Sequence, residues 1–428
     1  MAIPENHPRR IDLNDEVHAR PPETLTAPAR LSYLALLCNA AQRDQAAGMV
    51  CDLARKFGVE PPPPGAMHYS ADLGPFRLKW ERHTEFARYQ FIVTGEESAP
   101  FERPAILAAP AEWVAALPGE VLVATHVVLM RQSGAASDYE SIANKYFDGN
   151  MLIGAAIGAG AATALTDLRI HDDRFSRILV LDRAMSGRQA GRMVQRLLEI
   201  DTYRMMALLA LPVARDLAPF LTRGEQELAK ITGALVSASA DDEPQLLERL
   251  TRLGAEIDSR EAASHYRFSA AAAYYELVQR RIADLREARI EGLQMFQEFT
   301  ERRLAPAMNT LRAVASRQES LTERLARAVQ LLSTRVDITR ERQNQKVLES
   351  MNRRAKLQLR LQQTVEGLSV AAVTYYVVGL VGDVAKGIKA AGLAVDPDIA
   401  MTVSIPIVAA AIAYGVHRIR RLVSRESI

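Results

Sequence analysis

Two stretches near the C-terminus carry no charge, and they constrain this chain more than any other feature. Gly367–Gly382 (GLSVAAVTYYVVGLVG) and Ile399–Val416 (IAMTVSIPIVAAAIAYGV) are apolar within a chain that is 24% charged. A membrane helix needs about 20 mostly apolar residues, and about 17 at the least. The second stretch meets that length. The first reaches it by taking in Thr364–Glu366 and Asp383–Ala385, which sets Glu366 and Asp383 at the two interfaces. The sequence therefore predicts a C-terminal two-helix transmembrane hairpin: helix 1 over 364–385, a short outer loop over 386–398, helix 2 over 399–417 and a basic tail over 418–428. A pair of buried helices in a soluble bundle is the alternative.

The flanks give the orientation. Arg353, Arg354, Lys356 and Arg360 precede helix 1, and Arg418, Arg420, Arg421 and Arg425 follow helix 2. The connection holds only Lys386 and Lys389 against Asp383, Asp396 and Asp398. Positive charge stays inside, so the large domain and both termini are expected in the cytoplasm. The opening MAIPENHPRRIDLND has no apolar run after its charges and does not read as a secretory signal. Cys38 and Cys51 are too few for a disulfide framework and suit a reducing compartment. With 53 basic against 51 acidic residues, the net charge of +2 gives no reason to expect a nucleic-acid partner.

Within helix 1, Ser369, Thr374, Tyr375 and Tyr376 are polar, and polar side chains at that depth face other helices or water. Gly367 with Ala371, and Ala409 with Ala413, are small-residue pairs that let helices approach. Two helices hide such groups poorly, so a homo-oligomer in the lipid bilayer is expected, with Glu366, Ser369, Thr374 and Tyr375 as candidate pore or helix-interface residues. A ring of Glu366 carboxylates would attract a divalent cation. The plainer reading has Glu366 capping the interface beside Arg360.

Upstream, residues 1–215 read as an α+β or α/β domain. The apolar residues of Leu31–Phe57 recur at helical spacing, and the Pro61–Pro64 run ends that segment. Strands are expected over Phe76–Arg82, Phe86–Val93, Val121–Met130 and Phe175–Leu181. Met193–Leu211 reads as a helix stopped by Pro212. Residues 216–363 are expected to be long coiled-coil helices. Phe268, Ala271, Tyr275, Val278, Ile282 and Leu285 alternate at three and four residues, as do Leu321, Leu325, Ala328 and Leu332. Each of two such helices would be about 80 Å long.

Signals for catalysis are weak. The glycine run from Gly149 lacks both the third glycine of a dinucleotide loop, where Thr163 stands, and a phosphate-loop ending, so it reads as a closely packed strand pair. His171, Asp172 and Asp173 read as a solvated turn rather than metal ligands. Asp15, Glu16, His18 and Arg20, in NDEVHARPPE, are a candidate ligand cluster for a cation or phosphate, set against a short capped helix ended by Pro21 and Pro22. Arg192, Arg196, Glu199, Tyr203 and Arg204 read as a polar stripe with ion pairs on an exposed helix face. No catalytic constellation is found, so an enzyme is not expected, and no cofactor is implied.

Three motifs, NDEVHARPPE, QRLLEIDTYRMMALLALPVAR over Gln195–Arg215 and VEGLSVAAVTYYVVGLVG over Val365–Gly382, resemble a family of bacterial membrane-anchored proteins of unknown function, domain-of-unknown-function family 3422. That resemblance implies a C-terminal anchor in the bacterial inner membrane and no activity. The order of segments is also similar to CorA-type magnesium transporters, in which a Gly-Met-Asn motif ends the first membrane helix. Here Gly379-Leu380-Val381-Gly382-Asp383 stands in that place. The expected function is a membrane-anchored, cytoplasm-facing oligomer of CorA-like layout passing a cation, with a non-conducting coiled-coil scaffold as the alternative.

Overall fold

The computed structural model describes residues 5–11, 13–14, 21–95, 99–132, 138–392 and 396–426. The described residues divide into two compact units, 1–237 with 245–329, and 238–244 with 330–428.

The first unit opens with an α/β sheet domain. Its strands are β1 (Ala29–Leu37), β2 (His68–Asp72), β3 (Arg77–Arg82), β4 (Phe86–Thr94), β5 (Glu120–Arg131), β6 (Ile153–Ile157), β7 (Ala162–Thr166) and β8 (Ser176–Asp182). They form one sheet in the order β2-β3-β4-β1-β5-β8-β7-β6. The pairing of β5 with β8 is parallel, and every other neighbour pair is antiparallel.

Four of these strands fall where alternation in the sequence places them. The helix expected over Leu31–Phe57 does not form as one element. ARLSYLALL is β1, paired with β4 on one side and β5 on the other. Helix α1 occupies only Ala40–Lys56, started by a capping box in which Asn39 and Gln42 bond each other's backbone N–H. A central strand covered on both faces is apolar throughout, so β1 lacks the alternation that would distinguish it from a buried helix.

One face of the sheet carries Leu34, Leu36, Leu78, Trp80, Tyr89 and Phe91 against α1 and the 3₁₀ turn Ala105–Ala108. Short helix α2 (Ala111–Ala115) adds Trp113 and Val114 to this core, and α3 (Tyr139–Tyr146) packs on a second one around Phe101, Val128, Phe147 and Leu165. Helix α4 (Gly187–Leu208) covers the opposite face with Val194, Leu197, Leu198 and Met206, all buried. Leu209 separates α4 from α5 (Ala210–Ser237). Pro212 therefore does not stop a helix; it stands in the first turn of α5, where its missing N–H has no intrahelical partner to lose.

Helix α6 (Glu243–Leu285) is followed by a connector, the short α7 (Phe296–Arg303) and the long α8 (Ala305–Ala390). Up to Val329, helices α5, α6 and α8 pack together as three, where two were expected. A Cβ on Gly224 of α5 would meet Leu321 of α8 at 3.0 Å and Leu253 of α6 at 3.8 Å. Arg317 of α8 pairs with Glu225 of α5 at 2.8 Å, and Thr322 donates to Glu261 of α6 at 3.1 Å. Of the expected seam residues, Ala271, Tyr275, Val278, Ile282, Leu285, Leu321, Leu325, Ala328 and Leu332 are buried and Phe268 is half-buried.

The connector after α6 closes the β6 edge of the sheet. Gly154 N–H donates to Gln294 O at 2.9 Å, and Ala156 exchanges backbone bonds with Ala288 at 3.0 and 2.8 Å. The glycine run forms the expected strand pair: a Cβ at Gly154 would meet Leu165 Cδ2 at 2.5 Å.

In the second unit, the end of α8 lies antiparallel to α9 (Pro397–Glu426). Three helical segments are long and apolar enough to cross a membrane: Gly187–Ser237, Phe296–Ala390 and Pro397–Ile419. They differ in what covers them. The apolar windows are 39%, 17% and 0% buried, respectively. The first window is thus the best covered of the three.

Candidate functional site: a buried ionic seam between sheet and helices

Two strands of the sheet place charge where an apolar face would serve. On the α4 side of β3 and β4, Lys79, Glu81, Arg88 and Gln90 are all buried, with Glu81 directly opposite Arg88 and Lys79 opposite Gln90. Glu81 pairs with Arg88 and lies 3.1 Å from Lys79. Arg88 reaches Glu199 of α4 at 3.5 Å. Glu199 also accepts from Gln195 at 2.7 Å and pairs with Arg281 of α6. A continuous chain of charge therefore runs Lys79–Glu81–Arg88–Glu199–Arg281, from the sheet through α4 into the helical bundle.

Burial alone would raise the Glu81 carboxyl, but the Arg88 charge, with His83 and Lys79, holds it well below the usual carboxylate range. Arg88 is raised in turn, the carboxylates outweighing its desolvation. Beside them, Tyr33 OH lies 2.7 Å from Thr202 Oγ1, and burial pushes its phenol up. Tyr203 stacks on Tyr274 of α6 with ring centroids 5.8 Å apart. Glu85, in the β3–β4 turn, takes Arg267 and the Tyr274 hydroxyl, the latter at 3.0 Å.

The stripe on α4 thus departs from its expected role. Glu199 and Tyr203 are buried against the sheet and α6, not exposed, because they answer the charges of β3 and β4. Sequence reasoning missed this seam, although Lys79-x-Glu81 and Arg88-x-Gln90 alternate with Leu78, Trp80, Ala87 and Tyr89 across one hairpin. The segment Pro21–Thr26 reaches it too. Lys79 Nζ donates to Pro21 O at 2.7 Å, and Gly191 of α4 leaves room for Glu23, whose carbonyl O would lie 1.6 Å from a Cβ there. Asp15, Glu16, His18 and Arg20 lie outside the described residues.

A second polar group sits on the other side. His171 is buried, not solvated, with Nδ1 2.8 Å from Asp148 and Nε2 3.0 Å from Asp167. His126 stacks on Phe175 at 3.8 Å, and its Nδ1 lies 3.0 Å from Ser32 Oγ. Among the described residues, no three His, Cys, Asp or Glu side chains gather to hold a metal ion. Burial, opposed by Asp173 and assisted by Arg177, lowers His126 to about 4. An unfolded histidine titrates near 6.5. The unfolded chain then binds the extra proton first, so His126 contributes stability that is present above about pH 6.5 and lost as pH falls toward 4, about 3 kcal/mol in all. Replacing His126 with Gln is expected to remove that part of the pH dependence in denaturant titrations between pH 7 and 4. An unchanged slope would refute the assignment.

In the second unit the expected interface residues separate. Thr374 is half-buried on the side of α8 facing α9, in line with buried Val378, Gly382 and Ala385, and its hydroxyl bonds Val370 O at 2.7 Å. Ser369 bonds back to Val365 O at 2.9 Å, and Glu366 accepts from Gln362 at 3.3 Å. Tyr375 and Tyr376 are 77% and 72% exposed. Close approach of the helices occurs at Gly382, where a Cβ would meet Met401 Sδ at 2.5 Å, and not at Gly367, which has nothing within 4 Å. The substituent-free side of Gly382 is what lets Met401 in.

The family described as Protein of unknown function (DUF3422) matches residues 5–423. The chain belongs to that family. The match takes in the α4 seam and both C-terminal helices, so these features sit within the DUF3422 region as a whole. No curated protein and no solved structure matches the chain. The CorA-like layout expected from the order of segments is accordingly not supported.

Proposed function

We propose that this DUF3422 protein is a membrane-anchored, cytoplasm-facing scaffold that works as a homo-oligomer, held by the ends of α8 and by α9 in the bacterial inner membrane. The observation that carries the reading is one uncovered length of α8. Every residue from 340 to 365 is exposed, including Val347, Leu348, Met351, Leu357, Leu359 and Leu361. Within it Val347, Met351, Arg354, Gln358, Leu361, Val365 and Leu368 follow one another at alternating four and three residues. That is a seam without an occupant among the described residues, and the polar Arg354 and Gln358 within it would fix register at some cost in stability. Tyr375 and Tyr376 make the same demand further along, since a phenol facing lipid has no acceptor.

The basic flanks at Arg353–Arg360 and Arg418–Arg425 support the cytoplasmic side for the large domain. Oxidative cross-linking in membranes tests the assembly. Met351→Cys, on the seam, is expected to give a disulfide-linked dimer above the wild-type background. Glu349→Cys, at the outermost heptad position, is expected to give none. Equal yields would remove the seam. Proteoliposomes test the transport alternative, because a scaffold passes no cation and Glu366→Gln would then change no flux.

A further inference from the structure

A cavity of ≈410 Å³ opens at the ends of β5 and β8, and none of Lys79, Glu81, Arg88, Glu199 and Arg281 lines it. Its apolar wall includes Leu34, Val123, Leu168 and Met205. Val121 and Ile170, at 59% and 75% exposure, also line it, so the mouth is apolar too. Its volume lies within the range of about 300–1,000 Å³ common to small-molecule sites, and such sites set a few fixed polar groups into an apolar wall.

The polar groups here are Arg174, Arg204, Asp173, Asp201 and Ser176. Asp201 is buried and held from three sides: Thr125 Oγ1 at 2.9 Å, Ser176 Oγ at 3.4 Å and the Arg204 guanidinium. Asp173 faces Arg177 at 3.7 Å. Each carboxylate is thus met by one guanidinium. Arg174 remains, exposed and without an ion pair among the described residues. Arg204 also keeps donors to spare: its Nε is buried with no acceptor. The two guanidiniums and two carboxylates of the lining balance, and Arg174 is the lining cation with no carboxylate partner among the described residues, beside an apolar wall.

The wall is held in place. Leu168 and Arg174, at the two ends of the β7–β8 loop, both adopt left-handed backbone conformations, with φ of 51° and 67°. Between them His171 is clamped by Asp148 and Asp167, and just beyond them Phe175 is stacked on His126. A loop held this way loses little entropy when a ligand binds.

We propose that this cavity binds a small monoanionic organic acid, an aryl or branched-chain carboxylate, with its body on the Leu34–Val123–Met205 wall and its carboxylate between Arg174 and Arg204. One negative charge matches the one unpaired guanidinium. A dianion would leave an excess charge facing Asp173 and Asp201, and a cation would meet Arg174 and Arg204.

Isothermal titration of the full chain in detergent, with 3-phenylpropionate as the probe, tests this. The acid is expected to bind at one site per chain, the neutral 3-phenylpropionamide at least about tenfold more weakly, and 3-phenylpropylamine not at all. Arg174→Asn, which tolerates the left-handed backbone, is expected to weaken the acid about tenfold. Arg204→Gln should do the same, and Arg204→Lys should recover part of the loss. Val121→Trp, at the exposed mouth, should abolish binding with no change in melting temperature. Equal binding of the three probes overturns the proposal. So does wild-type affinity in Arg174→Asn and Val121→Trp, or no binding of the acid by a chain that melts cooperatively.

Discussion

Removal of residues 364–428 is expected to shift the chain from the membrane pellet almost entirely to the soluble fraction, with its remaining helix and strand content preserved in circular dichroism. The physical ground is unequal cover. The apolar windows ending α8 and forming α9 are 17% and 0% buried, so the chain itself leaves them nearly bare. Each leucine or valine left in water forgoes about 1.5–3 kcal/mol that burial would return. The window of the Gly187–Ser237 segment differs, because 39% of it is already buried. The compact unit ending at Val329 loses none of its residues in this truncation. Persistence of the truncated chain in the pellet would transfer the anchor to α4–α5 and refute the C-terminal one.

The second large effect concerns Arg88. Replacing it with Leu is expected to cost about 3–5 kcal/mol, because Glu81 and Glu199 would be left buried without their shared cation. That is a large share of the roughly 5–15 kcal/mol that holds a domain folded. The carboxylate of Glu81 should respond as well. With Arg88 present its contribution is complete above the ordinary carboxylate range near pH 4.3 and disappears only as pH falls far below it. With Arg88→Leu the carboxyl should instead take up its proton at higher pH. A double change, Glu81→Gln with Arg88→Leu, removes both charges and should recover part of the loss. Denaturant midpoints decide the matter. A loss under about 1 kcal/mol for Arg88→Leu would mean that the pair is screened by water and that the seam carries no structural weight.

Legibility in the sequence followed the kind of signal each element sends. Strands β3, β4, β5 and β8 and the glycine-rich β6–β7 pair were readable because turn residues bound short β-rich runs. Strand β1 was not, since a strand covered on both faces is uniformly apolar and its run continues into the apolar residues of α1. Only the Asn39-x-x-Gln42 cap marks the break. The seam residues of α6 and α8 were legible from their spacing, but the third helix of that bundle was not. Its signal, Leu217, Leu221, Gly224, Leu228 and Ile231, begins five residues after a proline that reads as a stop. The ionic seam was the least visible part. Whether Glu199 is a surface ion pair or a buried anchor depends on charges contributed by Arg88 and Arg281, 111 residues before it and 82 after it. No local window contains both. In the cavity beside β5, likewise, Val121, Arg174 and Arg204 come from three separate parts of the chain.

The way the β6 edge is closed also sets a schedule for biogenesis. All eight strands have been synthesised once Asp182 is made, yet the backbone groups of Gly154, Ala156 and Gly158 find their partners only in Leu285, Ala288 and Gln294. At about 5–20 residues per second, a ribosome takes roughly 5–20 s to add the hundred or so residues between them. For that interval the nascent sheet has an open, apolar edge, the kind of surface that pairs with a neighbouring nascent chain. The apolar C-terminal helices emerge later still, so in the membrane-anchored reading proposed above their targeting to a bilayer comes after the sheet has had to survive that wait.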